Sequence, residues 1–296
     1  MNIFLIGASG FVSGTLARMA VEAGHAVTAV SRGNRPVPNG VKSVTVDRHD
    51  QEAFKNAIEE AGDVWDLVVD CIGYEVAAAH QDIEVFSARA KHFVFVSTDF
   101  VFDPSRRTFP QKEDNPHFQK DGYGGKKRIC ELEFINGDTG DMDWTIIRPC
   151  HIYGPGSLLG CLPLHGRDAD LLDKIKAGET LKLVGGGHFL QQPILAADLA
   201  RTIFSCVGNS DAAGEIYNVA GPDIIESRRF YSIIGEILAV EAKIEEIPAS
   251  DFLQENPGKA PFVCHRIYDQ QKLQTSGLAV PSTPIEEGLR QHVESI

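Results

Sequence analysis

A short apolar segment at the amino terminus leads directly into a glycine-rich turn and then into a helical pattern. Residues Asn2–Ile6 are predicted to form a buried strand, and Gly7-Ala8-Ser9-Gly10-Phe11-Val12-Ser13-Gly14 follow it without a break. Glycine permits a tight turn and lets backbone amides approach an anion closely. The start of the next helix adds unpaired N–H groups and a favourable dipole. This order predicts a dinucleotide-binding unit, and a plain strand–helix turn is the alternative.

Strand-like apolar segments alternate with helical patterns through the first half of the chain. Alternation of this kind predicts an α/β fold with a doubly wound parallel sheet of the Rossmann type. The expected strands are Asn2–Ile6, Ala26–Val30, Ser43–Val46, Leu67–Cys71, Phe93–Val96 and Thr145–Ile147. The expected helices are Val12–Ala23, Gln51–Glu60, Ala77–Ala90 and Gly125–Phe134.

The strand–helix pattern loosens after residue 156, which predicts a second structural unit. We expect an NAD(P)-binding Rossmann domain over residues 1–156. A helix over Ala197–Val207 and a strand over Glu215–Val219 are interpreted as returns to its sheet, within residues 191–221. Residues 157–190 and 222–296 are then expected to form a smaller, substrate-binding C-terminal lobe.

The charge and cysteine content exclude several classes of protein. A formal charge of −13 argues against a nucleic-acid partner, which needs a basic footprint, although a small anionic ligand needs only a local cluster. No two of the six cysteines have CxxC spacing, so we expect neither a disulfide framework nor a bound metal. Without a signal-like or membrane-spanning segment, a cytoplasmic location and no membrane partner are expected. The oligomeric state stays open, and a homodimer is one option.

The residues after the second strand bear on the choice of cofactor. Rossmann proteins that prefer NAD usually carry a carboxylate there, which bonds to the ribose hydroxyls, whereas this chain has Ser31 followed by Arg32. A guanidinium can pair with a 2′-phosphate through two hydrogen bonds, so NADP(H) is favoured over NAD(H), with a solvated surface arginine as the alternative. Asp47, after the third strand, is a candidate for the adenine amino group or an ordinary turn residue.

Three residues form a candidate proton-transfer group. Tyr123 and Lys127 are four residues apart at the start of a predicted helix, so they share one face. A nearby ammonium favours the phenolate and should lower the tyrosine pKa from its ordinary value of about 10. Thr98 follows the fifth strand, at the sheet edge where ligands bind in such folds. The alternative for Tyr123 and Lys127 is two surface residues on a helix.

Several segments carry a family resemblance in the same order. They are the glycine-rich turn, Ser97–Asp103, Tyr123–Lys127, Arg148–Pro155, Tyr217–Gly221 and Ser282–Leu289. With them the chain resembles an extended short-chain dehydrogenase/reductase of the NAD-dependent epimerase/dehydratase family. The resemblance implies Thr98, Tyr123 and Lys127 as the catalytic triad, with Lys127 also contacting the nicotinamide ribose. The expected cofactor contacts are Gly7, Ser9, Gly10, Phe11, Val12, Ser31, Arg32, Asp47, Arg48, Cys71, Ile72, Gly73, Lys127, Pro149 and Ile152.

Departures from the family pattern concern the substrate more than the cofactor. Ser13 stands at the third glycine, and Phe100 replaces the second acid that sugar-nucleotide dehydratases carry. Dehydration is therefore not expected. His151 replaces a common asparagine and could bind substrate, act as an acid–base group or pack in the cleft wall. The expected substrate contacts are Asp99, His151 and Gln191.

These features together predict an enzyme. We expect an NAD(P)-dependent oxidoreductase or epimerase that acts on a secondary alcohol or ketone of a carbohydrate-like substrate, with a nucleotide sugar as one option. The alternative is a non-catalytic NAD(P)-binding regulatory or scaffold protein, whose signature would be the loss of the tyrosine or lysine. The pattern near Gln191 and Gln192 is closer to the family's atypical branch, which includes chloroplast stem-loop-binding proteins. The acidic charge argues against RNA binding here.

Overall fold

The computed structural model describes residues 1–62, 64–164 and 167–296. The strands are β1 (Asn2–Ile6), β2 (Ala26–Ser31), β3 (Val41–Thr45), β4 (Trp65–Asp70), β5 (Ala90–Val96), β6 (Asp143–Pro149), β7 (Ile152–Tyr153), β8 (Thr180–Val184), β9 (Leu190–Gln191), β10 (Ile194–Leu195), β11 (Glu215–Val219), β12 (Ile225–Glu226) and β13 (Lys243–Ile247). The α-helices are α1 (Phe11–Glu22), α2 (Gln51–Ala61), α3 (Val76–Phe86), α4 (Gly122–Asn136), α5 (Leu171–Lys176), α6 (Ala196–Phe204), α7 (Ser227–Leu238), α8 (Ala249–Glu255), α9 (Gln271–Thr275) and α10 (Ile285–Glu294).

A seven-stranded sheet organises the larger part of the chain, in the order β11-β6-β5-β4-β1-β2-β3. Every neighbouring pair in it is parallel. Its central strands are apolar and buried because helices cover both faces, as parallel sheets require. One apolar cluster fills each face of the sheet. The predicted Rossmann-type α/β fold is confirmed.

The helix predicted over Ala77–Ala90 is too long at its carboxyl end. Helix α3 ends at Phe86, and Ala90 already pairs with Trp65 in the parallel sheet. Alanine and arginine favour helix, so local propensity extended the prediction across Ala88 and Arg89. Pairing with β4 outweighs that weak preference, because it adds backbone hydrogen bonds and buries an apolar strand.

The C-terminal half supplies a separate packed layer beside the sheet. Strands β8 and β13 pair in parallel, and α7 packs against α10 and α5 around a third apolar cluster. Helix α6 instead packs on α1, and β11 completes the edge of the main sheet. Over the described residues, no helix is both long and apolar enough to cross a bilayer.

Candidate active site

Two adjoining cavities open where the parallel strands end, the edge at which open α/β sheets bind ligands. The β2 cavity, of about 400 Å³, lies between the glycine turn and the ends of β2 and β3. The β5 cavity, of about 410 Å³, lies between the same turn and the ends of β5 and β6. The two cavities share five wall residues, which are Gly10, Ser13, Arg35, Ile72 and Tyr74.

The glycine turn leaves the start of α1 accessible. Gly7 adopts a φ of +87°, a conformation that favours glycine, and its N–H donates to the carbonyl of Val30. Gly10 precedes the helix, which has no side-chain cap and no acidic residue in its first turn. Ser13, at the family's third glycine position, accepts a hydrogen bond from the Gly10 N–H at 3.2 Å. The helix start therefore fits an anion such as a diphosphate.

The β2 cavity contains the residues expected to read the adenosine half of the cofactor. Ser31 Oγ accepts a hydrogen bond from the Gly33 N–H, and Arg32 is exposed in the cavity wall. Asp47 is also exposed there, and its carboxylate accepts a hydrogen bond from the His49 N–H. These positions are compatible with cofactor binding, and the individual roles stay predictions.

Arg48 was expected to contact the cofactor, and in the structure its guanidinium is paired with two carboxylates of the protein. Its guanidinium bonds to Asp70 at 3.0 Å and to Asp82 at 2.8 Å, and all three side chains are buried. A third bond goes to the carbonyl of Ala78. The Arg48 guanidinium therefore ties the end of β4 to α3, while the residue lines the β2 cavity and its cofactor contact stays a prediction.

Thr98, Tyr123 and Lys127 all line the β5 cavity. Thr98 is buried just after β5, and its hydroxyl accepts a hydrogen bond from the Phe100 N–H at 3.2 Å. Tyr123 is 50% exposed at the start of α4, whereas Lys127, one turn later, is only 1% exposed. The helix thus presents the tyrosine to the cavity and carries the lysine to its floor.

Lys127 is held by two backbone carbonyls. Its Nζ donates to Gly73 at 2.8 Å and to Val96 at 2.7 Å, and it lies 3.9 Å from the ring centroid of Phe95. An ammonium has three N–H donors, so one is left for a group in the cavity. Burial lowers the pKa of Lys127, while the charge of Asp70 opposes that shift.

The environment of Tyr123 favours its protonated form. Its ring centroid lies 6.3 Å from that of Tyr74 and 6.2 Å from that of Phe100. Burial raises the pKa of Tyr123 to about 12, and the Thr98 side chain and the charge of Arg167 act against this rise. The lowered pKa expected from the sequence is therefore not found, because desolvation outweighs the contributions of Thr98 and Arg167. The hydroxyl is a proton donor at neutral pH.

The approach of α4 to Thr98 depends on Gly124. A Cβ atom at this position would lie 1.9 Å from the carbonyl oxygen of Phe100, in the short helical turn that follows Thr98. Only a residue without a side chain permits this contact. Gly124 therefore sets the distance between the start of α4, with Tyr123, and the end of β5.

Asp99 belongs to a buried ionic cluster. Its carboxylate accepts hydrogen bonds from Arg107, Arg266 and the hydroxyl of Tyr268. Burial alone would raise the pKa of Asp99, but the charges of Arg266 and Arg107 hold it below its ordinary value. Asp99 lines the β5 cavity as an ionised carboxylate, which can accept a hydrogen bond but has no proton to give.

His151 lines the same cavity as a neutral ring. Its Nε2 lies 2.8 Å from the carbonyl oxygen of Gly160, and because a carbonyl only accepts, this nitrogen carries the hydrogen. Burial lowers the pKa of His151 to about 4. Of the roles open from the sequence, acid–base catalysis near neutrality is the one that this environment disfavours.

Gln191 was expected to meet the substrate, and the structure corrects this. The residue is fully buried, and its amide donates to the carbonyl of Cys264 at 3.4 Å. Its partner Gln192 is likewise turned inward, donating to Gly221. Both side chains connect β9 and the residue after it to later parts of the chain, and Gln192 also accepts a hydrogen bond from the Tyr268 N–H. Cys150 is a packed residue, with its thiol 2.6 Å from the Gln192 carbonyl.

The structure gathers most of the expected cofactor residues around the two cavities. Gly73 lies outside the cavity walls and contributes the carbonyl that holds Lys127. The expected residues in the β2 cavity are Gly7, Ser9, Gly10, Ser31, Arg32, Asp47, Arg48 and Ile72. Those in the β5 cavity are Gly10, Phe11, Val12, Cys71, Ile72, Lys127, Pro149 and Ile152.

Several cavity residues were missed from the sequence, among them Tyr74, Arg35 and Arg167. Tyr74 follows the end of β4, so the rule that strand ends carry function could have found it. Arg35 lies in the loop after β2, and Arg167 comes from the C-terminal part. No local pattern marks Arg167, because only the fold brings it to the glycine turn.

Comparison with known sequences identifies relatives over most of the chain. The sequence model of the NAD dependent epimerase/dehydratase family matches residues 3–220. The chain is also 24% identical over 279 residues to the chloroplast stem-loop binding protein of 41 kDa b from Arabidopsis thaliana. That match covers 88% of this chain and 68% of the plant protein.

Solved structures with the same architecture span nearly the full chain. UDP-glucose 4-epimerase of Thermotoga maritima, solved with UDP-glucose, has a TM-score of 0.81 at 18% identity, covering 100% of this chain and 98% of the epimerase. The dTDP-glucose 4,6-dehydratase of Bacillus anthracis, solved with NAD, has a TM-score of 0.79 at 17% identity, with coverage of 100% and 96%. At such identities the likeness establishes the fold.

Proposed function

Since the chain belongs to the NAD-dependent epimerase/dehydratase family, we propose that it is an NAD(P)-dependent oxidoreductase or epimerase acting on a secondary alcohol or ketone of a carbohydrate-like substrate. The observation that carries the proposal is the placement of Thr98, Tyr123 and Lys127 in one cavity beside the glycine turn. A nucleotide sugar is the first substrate class to test, because a fold neighbour was solved with UDP-glucose.

The proposed roles follow from the state of each side chain. A bound nicotinamide cofactor would supply or accept the hydride. Tyr123, protonated in this environment, gives its proton to the substrate oxygen in the reductive direction, and in the oxidative direction the phenolate takes a proton from the substrate hydroxyl. Thr98 orients that oxygen, and the unused N–H of Lys127 would hold the cofactor ribose. His151 offers a neutral ring nitrogen to the substrate.

A turnover assay tests this function directly. The purified protein is incubated with NAD or NADP and a panel of nucleotide sugars and simple sugars. Absorbance of reduced nicotinamide reports net oxidation or reduction, and proton NMR of the sugars reports epimerisation. The non-catalytic alternative predicts cofactor binding with no turnover of any panel member. That alternative needs no tyrosine or lysine in the cavity, whereas this chain has both.

We propose that the protein does not remove water from its substrate. Phe100 stands where the dehydratase pattern has a second acid, and Asp99 is kept ionised by Arg107 and Arg266. Elimination needs a group that protonates the leaving hydroxyl, and neither residue can do so. Mass spectrometry of products from UDP-glucose and dTDP-glucose should therefore show no species lighter by one water. Such a product would refute this proposal while leaving the family assignment intact.

We propose that NADP(H) is preferred because Arg32 reads the 2′-phosphate. Arg32 is exposed in the β2 cavity. Ser31 stands where NAD-preferring proteins have an acidic residue, so no carboxylate at this position would repel a 2′-phosphate. Arg32→Ala should weaken NADPH binding about tenfold in calorimetric titration, the order expected for a charged hydrogen bond, and leave NADH binding unchanged. Arg290→Ala, at an exposed residue of α10, is the matched control. Equal losses for both nucleotides would show that Arg32 does not read the 2′-phosphate.

A further inference from the structure

Two arginines of the β5 cavity have no assigned partner. Arg35 and Arg167 are both exposed in its wall, and within the described part of the chain neither guanidinium pairs with a carboxylate. Arg32 of the β2 cavity is likewise exposed, with no carboxylate partner among the described residues. Arg48 shows the contrast, because it bonds to both Asp70 and Asp82.

Both arginines lie near the start of α1. Arg35 lines both cavities, so it lies at their junction, together with Gly10 and Ser13 of the glycine turn. The Arg167 guanidinium carbon lies 5.8 Å from the ring centroid of Phe11, the first residue of α1. One arginine therefore comes from the loop after β2 and the other from the C-terminal part, and both lie near the start of α1.

We propose that Arg35 and Arg167 clamp the diphosphate of the bound dinucleotide beside the glycine turn. The inference rests on the proposed cofactor function. If the adenosine half lies in the β2 cavity and the nicotinamide half in the β5 cavity, the diphosphate must cross their shared wall. The turn offers N–H groups, which are neutral and leave the two negative charges of the diphosphate uncompensated. Two guanidinium groups would balance those two charges.

The clamp has a consequence for the two parts of the chain. Arg167 lies shortly before α5, in the C-terminal part of the chain, whereas Arg35 follows β2 of the main sheet. A phosphate bound by both would therefore link the C-terminal part to the Rossmann-type sheet.

Binding measurements on three nucleotides separate the clamp from other roles. NADP, NAD and ADP-ribose all contain the diphosphate, but only NADP has the 2′-phosphate and ADP-ribose lacks the nicotinamide. Calorimetry on Arg35→Ala and Arg167→Ala should show a similar loss for all three, of about tenfold for each variant. Lysine at either position should restore part of the affinity because it keeps the charge. Arg290→Ala is the control for a lost surface charge, and thermal unfolding checks that each variant is folded.

Each of the other outcomes contradicts either the proposed clamp or the cofactor binding on which it rests. A loss confined to NADP would make the arginine a 2′-phosphate reader, and a loss for NADP and NAD without one for ADP-ribose would place it at the nicotinamide. Unchanged affinities for all three nucleotides would remove the clamp altogether. If the unmodified protein binds none of the three nucleotides, the cofactor proposal itself fails.

Discussion

Replacing Tyr123 by phenylalanine is expected to lower kcat by about a hundred- to ten-thousand-fold, the usual contribution of a positioned acid–base group. The phenol is half exposed in the β5 cavity beside Thr98, and it is protonated at neutral pH since burial raises its pKa to about 12. His151 is neutral, Asp99 is ionised, and Lys127 donates to two carbonyls. Cofactor affinity, measured by calorimetry, should change little, because only the hydroxyl is removed.

The pH dependence of the reaction offers a second measurement on the same residue. In the reductive direction Tyr123 gives up its proton, so activity falls as pH rises through its pKa. A cation near the hydroxyl favours the phenolate, so removing the charge of Lys127 with Lys127→Met should move this basic limb to higher pH. Lys126→Met, at the neighbouring exposed lysine of α4 that pairs with Glu75, is the control for a lost lysine charge. A Tyr123→Phe variant with nearly full turnover would exclude the proposed proton path.

The fold and the location of the cavities could be predicted because they depend on patterns that are local in sequence. A buried strand, a glycine turn and a helix specify the first unit, and strand ends of a parallel sheet must meet at one edge. This rule placed Thr98 at the cavity and the family resemblance added Cys71 and Pro149, and all three line it. Tyr74 obeys the same rule, so it was within reach of the sequence.

The state of the charged residues could not be predicted, since it depends on partners that are distant in sequence. Arg48 finds its carboxylates 22 and 34 residues away, and Asp99 meets Arg266 across 167 residues. Such pairs decide whether a cavity residue is available to a ligand. Gln191 shows the same limit for a neutral group, because its burial follows from contacts with Cys264.

Gly124 links the packing of α4 to catalysis, and Gly124→Ala should damage both. Alanine is the better helix former by about 1 kcal/mol, so propensity alone predicts a more stable protein. The added Cβ, however, would lie 1.9 Å from the carbonyl oxygen of Phe100, and no rotamer can relieve a clash with backbone. Overpacking of this kind costs about 1–3 kcal/mol in the free energy of unfolding, so we expect a net loss of stability in urea.

The same displacement should reduce turnover, because it moves α4 away from the end of β5. A shift of about 1 Å between reacting groups can cost on the order of a hundredfold in rate, and Tyr123 precedes Gly124 directly. Gly258→Ala is the matched control, since a Cβ there meets no atom within 4 Å. It should leave both stability and kcat unchanged. If Gly124→Ala is stable and fully active, α4 can retreat without moving the tyrosine, and the spacing between Thr98 and Tyr123 is not what the reaction requires.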